Sequence, residues 1–129
     1  MKQNVALIIA SLLSIVFMTF HLTDDIVRGM EPGTLSDLIA VPILAVWLYG
    51  TLVLTDERRS GYVIVLLGSL IGLVVPIVHM KGAGLGGTIA KSSGGFFFIW
   101  TLIALGVTAF FSIILSARGL WEHRPHRTA

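Results

Sequence analysis

Four apolar stretches constrain this chain more than any other feature. They run from Asn4 to Thr23, Leu35 to Thr55, Tyr62 to Met80 and Gly95 to Ala117. A helix rises about 1.5 Å per residue, so crossing a hydrocarbon core of ~30 Å takes about 20 residues. The connections "DDIVRGMEPGT", "DERRSG" and "KGAGLGGTIAKSSG" are short. Hydrocarbon offers no hydrogen bonds, so backbone that crosses it must satisfy itself, which open strands cannot do. The expected fold class is therefore all-α: a four-helix transmembrane bundle, up-down-up-down, with short loops. Residues 1–129 form one membrane domain with a basic tail at 118–129. Composition agrees. Charged residues make up 12% of the chain, against roughly 25% in soluble domains. With 55% hydrophobic residues, a core of this size cannot hide the apolar surface from water.

Cysteine is absent, which removes disulfides, thiolate metal sites and thiol redox chemistry. The net charge of +2 is too small to suggest nucleic acid. The first stretch has a signal-peptide layout, with Lys2 ahead of an apolar run. That run is long for such a signal, and "FHLTDD" follows it in place of a small-x-small cleavage site, so a retained helix is expected.

Orientation follows from Lys and Arg in the connections. Lys2, Arg58, Arg59, Arg118, Arg124 and Arg127 fall on one side. Arg28, Lys81 and Lys91 fall on the other. The larger group places both termini in the cytoplasm and the protein in the cell membrane as a multi-pass chain. Tyr49, Tyr62 and Trp121 then lie near the inner boundary, as an aromatic belt would. The tail "ARGLWEHRPHRTA" reads as a basic stop at an anionic leaflet.

Gly68 and Gly72 form a small-xxx-small pair, the pattern that lets helices approach closely. At 100° per residue His79 falls within about 40° of them, so it is expected to face protein. Pro76 leaves the carbonyl of Gly72 without its helical donor, and Pro42 does the same to Leu38. Thr101, Thr108 and Ser112 share one side of the fourth stretch. Trp47 and Trp100 are read as packing or interface residues.

The ionisable groups of the outer side fall in one layer: His21, Asp24 and Asp25 after the first stretch, Asp37 before the second, His79 and Lys81 after the third. His21 and Asp25 are i and i+4 and share a face, with Ser14 also on it. Carboxylates at a helix C-terminus cost about 0.3–1 kcal/mol. Either the helix stops near His21 and Asp24 caps a following turn, or a cation offsets the cost: Arg28, Lys81 or a metal ion. Asp37 closes the capping box "TLSD". His21, Asp25 and His79, with Asp24 beside them, have the composition of a nitrogen/oxygen metal site. A divalent ion is the expected ligand. A bis-imidazole haem is a lesser variant, and Met18, Met30 and Met80 add a weak case for copper. "GAGLGG" (Gly82 to Gly87) matches a dinucleotide fingerprint but follows a membrane helix, so it reads as an outer loop. No acid or base sits in the middle of a stretch, against a proton-coupled pump working alone.

The leading functional reading is a small membrane protein with a His/Asp cation site at the outer end of its bundle. The alternative is a non-catalytic accessory or assembly subunit of a larger membrane complex. The partners implied are the bilayer and, through the glycine face, a second copy or such a complex. The residues leave open whether the site would serve transport, redox or catalysis.

Overall fold

The computed structural model describes residues 2–30, 33–81 and 93–123. The described residues are 90% helical and contain no strand. Helix α1 spans Lys2–Val27, α2 Ala40–Val53, α3 Arg59–Lys81 and α4 Gly95–Glu122. Short 3₁₀ segments at Leu35–Ile39 and Leu54–Asp56 flank α2. All four spans have the length and hydropathy to cross a membrane. Helix α4 packs on both α1 and α3, α2 leans on α3, and α1 touches α2 more lightly. Neighbouring helices run antiparallel: Ser14 meets Thr108, while Gly72 lies beside Ala109 and Gly119 beside Tyr62.

The buried positions of α1 recur at alternating steps of three and four: Leu7, Ser11, Ser14, Met18, His21 and Asp25. That spacing keeps one face of a helix turned to its neighbours. Here the inward face carries the polar groups, and residues such as Val5, Ile9, Val16 and Phe20 look outward. Some interior hydroxyls bridge helices, as Ser11 and Ser14 do. The Trp47 indole N–H donates to Ser11 Oγ at 3.0 Å. The Thr51 hydroxyl donates to the Trp47 carbonyl at 2.9 Å. Its one hydrogen is thereby committed, so Ser11 donates to Thr51 across 2.7 Å. Bonds of this kind contribute about 0.6 kcal/mol each in a membrane.

Three expectations need correction. First, α1 does not stop near His21, and Asp24 is not the cap of a following turn. The helix runs to Val27 and ends on Gly29, whose φ of 71° suits a residue without Cβ. Gly29 N–H bonds Ile26 O at 3.0 Å and Met30 N–H bonds Asp25 O at 2.9 Å, the paired closure of a Schellman motif. Second, the span expected at 35–55 is α-helical only over Ala40–Val53. Pro42 falls in the first turn of that helix, where a missing N–H costs least. Third, the helix expected at 95–117 continues to Glu122, supported by an Arg118–Glu122 pair at 2.9 Å. The tail residues Arg124, His126 and Arg127 lie outside the described residues, as do Gly82–Gly87 and Lys91.

Tyr62 also departs from the expected belt. Its ring is 1% exposed and occupies the space where Gly119 lacks a side chain, and its hydroxyl donates to Asn4 Oδ1 at 2.7 Å. Tyr49 and Trp121 are exposed.

Asp37 behaves as the capping box requires. Its carboxylate accepts the Thr34 backbone N–H at 2.7 Å. Asp37→Ala is expected to weaken this start by about 1 kcal/mol, seen as faster amide exchange at Leu38 to Val41. Unchanged exchange there would show that the cap carries no weight.

Candidate metal centre

Two helices bring the site together. His21 and Asp25 occupy consecutive turns of the buried face of α1, and only because α1 continues past His21. His79 comes from the last turns of α3, on the face that also carries Gly68 and Gly72. His21 is 0% and Asp25 3% exposed, while the His79 side chain is 23% exposed.

His21 Nε2 lies 3.4 Å from Asp25 Oδ2, and His79 Nε2 lies 3.5 Å from the same oxygen. One ligand atom from each of the three residues lies within 4.8 Å of the others. The two imidazoles meet edge to face, with centroids 4.7 Å apart. The Phe98 ring forms one wall, 5.1 Å from the His21 ring and 6.0 Å from that of His79.

The orientation of His79 is fixed from behind. Its Nδ1 donates to the Val75 carbonyl at 2.9 Å, since a carbonyl can only accept. In the neutral ring the lone pair then sits on Nε2, the atom that faces Asp25. A ring N–H held by a backbone carbonyl is the usual outer support of a metal-binding histidine. His21 has no such support: neither ring nitrogen has a hydrogen-bond partner among the described residues. A buried polar group in that condition costs about 1–3 kcal/mol.

The distances say more when set against the neighbouring pair. Arg28 Nε to Asp24 Oδ2 is 2.7 Å, the length of a charge-assisted hydrogen bond. The His–Asp distances are longer and suit donors spread around a common point. Arms of about 2.1 Å at tetrahedral angles place ligand atoms about 3.4 Å apart.

Asp24 therefore stands apart from the other three. Its carboxylate is held by Arg28, which also donates to Ser93 O at 3.4 Å and lies 5.8 Å from the centroid of the Phe98 ring. Arg28 thus ties the end of α1 to the start of α4. Asp37 is committed to its cap. Met18 is buried in the core and Met30 is exposed; the side chains of Met80 and Lys81 lie outside the description. The haem variant does not fit, because two rings in edge contact leave no slot for a macrocycle between them. Phe98 and the His79–Val75 bond were not anticipated. The first depends on which turn of α4 faces the imidazoles, and the second had no sequence signal beyond a histidine late in a helix.

Gly68 and Gly72 do permit a close approach, but to a side chain. The Trp47 indole of α2 lies over both: a Cβ on Gly68 would fall 2.5 Å from two of its ring carbons, and one on Gly72 2.9 Å from Cη2. Thr101 and Ser112 are fully buried. Trp100 is 52% exposed.

No protein-family model, curated protein or solved structure matches the chain.

Proposed function

We propose that this is a small multi-pass membrane protein that binds a divalent metal ion through His21, Asp25 and His79, at the end of the bundle where α1 and α3 finish. The supporting observation is His21: a fully buried imidazole with neither nitrogen hydrogen-bonded among the described residues, 3.4 Å from a buried carboxylate that a second imidazole also faces. An ion between the three groups takes up a His21 lone pair and offsets the cost of Asp25 near the negative end of α1. The donor set is two nitrogens and one oxygen, which suits zinc and its first-row neighbours rather than calcium or magnesium. Asp24 serves by pairing with Arg28 and is not a ligand.

The test is direct titration of the detergent-purified protein with Zn²⁺ or Co²⁺ after chelation. One equivalent should bind, with a rise in thermal stability. If no ion binds at neutral pH, the metal reading fails, and the cluster becomes a buried ion pair in an accessory subunit.

The site faces outward if both termini are cytoplasmic, as the basic residues favour. Reporter fusions at the C-terminus and within 82–92 should place the tail inside and that connection outside. The reverse result would put the site in the cytoplasm.

A further inference from the structure

We infer that the ion held by His21, Asp25 and His79 keeps a coordination position open beside His79, and that this position takes a small anionic ligand such as hydroxide, azide or a carboxylate. The inference rests on the metal-binding reading above and adds to it what the bound ion can do.

Ligand number comes first. Zinc and four-coordinate cobalt take four ligands, and a site with three protein ligands leaves the fourth to water or substrate. Among the described residues no other His, Asp or Glu joins the group. The next carboxylate along α1, Asp24, is paired with Arg28 at 2.7 Å. The site therefore differs from a closed structural one.

Access comes second. His21 and Asp25 are sealed and Phe98 is fully buried, with its ring against both imidazoles. His79 alone of the three ligands has a partly exposed side chain. A ligand from solution must pass its edge.

Charge decides the kind of ligand. A divalent ion with one carboxylate and two neutral imidazoles carries a net +1. Among the described side chains, the charged groups nearest it are Asp24 and Arg28 of α1, which pair with each other, and α4 presents the uncharged Phe98. A net charge in a largely buried, low-dielectric setting is costly unless paired. A monoanion brings the centre to neutrality, while a neutral donor leaves the charge in place. With no other anion present, bound water can supply it by releasing a proton to the buffer, because the ion lowers the pKa of that water.

The experiment uses the full chain in detergent, loaded with Co²⁺, whose visible bands report coordination. Azide should shift the bands in a saturable one-to-one titration. Neutral 1-methylimidazole should bind at least about tenfold more weakly, equivalent to about 1.4 kcal/mol. Arg28→Gln leaves the Asp24 carboxylate without its counter-charge near the centre, so azide affinity should fall by about tenfold or more while Co²⁺ stays bound. Bands indifferent to azide on a Co²⁺-loaded protein would overturn the open position and leave metal binding standing. Equal affinity for the neutral ligand would overturn the charge argument. Failure to load Co²⁺ at all would overturn this inference together with the reading beneath it.

Discussion

His21→Ala, Asp25→Asn and His79→Ala are each expected to lower Zn²⁺ affinity by more than about 100-fold, since loss of a proposed ligand should exceed the 10–100-fold cost of losing an outer support. The three should not add. Once one arm is gone the remaining pair no longer encloses the ion, so His21→Ala combined with His79→Ala should bind no more weakly than either alone. Asp24→Asn is the discriminating control. It loses its bond to Arg28 but no ligand, and its affinity should stay within about tenfold of the parent. The pH dependence has a definite sign. Coordination needs both imidazoles neutral and the carboxylate ionised, so protons compete with the ion and Zn²⁺ affinity should fall as pH is lowered. Stabilisation by Zn²⁺ should therefore be larger at the higher of two pH values. Calorimetric titration with thermal unfolding at two pH values reads all of this. Equal binding by the parent and His21→Ala would end the case for this site.

Gly68→Ala, a single methyl, should destabilise the bundle by about 1–3 kcal/mol, the usual cost of overpacking. The new carbon would sit 2.5 Å from two atoms of the Trp47 indole. That ring is 1% exposed and its N–H is committed to Ser11, so moving it breaks a buried bond that links α2 to α1. Gly106→Ala is the control. Its methyl would meet Pro76 Cγ at 3.5 Å, an ordinary contact, and Ala is the better helix former by about 1 kcal/mol. Gly72→Ala should fall between the two. In a Trp47→Ala background the cost of Gly68→Ala should vanish, because nothing remains for the methyl to strike. Unfolding in detergent followed by circular dichroism measures the series. A cost that persists without Trp47 would place the clash elsewhere.

The four spans and the Asp37 cap were legible because they are local. Hydropathy over about 20 residues and a box of four residues carry their own physical reasons. The end of α1 was not. "HLTDD" reads as a stop when the carboxylates are weighed against the helix dipole alone. The alternative that a cation such as Arg28 offsets the carboxylates is the one that holds for Asp24, and Gly29 closes the helix beyond them. The glycine face was legible in direction, since 100° per residue aligns Gly68, Gly72 and His79. Its occupant was not, because which helix lies over it depends on packing. The polar inward face of α1 was visible only in fragments: Ser14, His21 and Asp25 were seen to share a side, but the run from Leu7 to Asp25 emerges only with neighbours in place.

By itself, then, the sequence determined that the chain is a bundle of four membrane-length helices and that imidazoles and carboxylates gather at one end of it. Lipid makes this so, since backbone that crosses it must be helical and charge must stay near its edges. Only the tertiary structure decided that His79 of α3 meets His21 and Asp25 of α1 while Asp24 turns to Arg28. Rotation of a helix about its axis is set by what it packs against. A turn of 100° separates Asp24 from Asp25, and with it a part-buried ion pair with Arg28 from a buried carboxylate that faces two imidazoles.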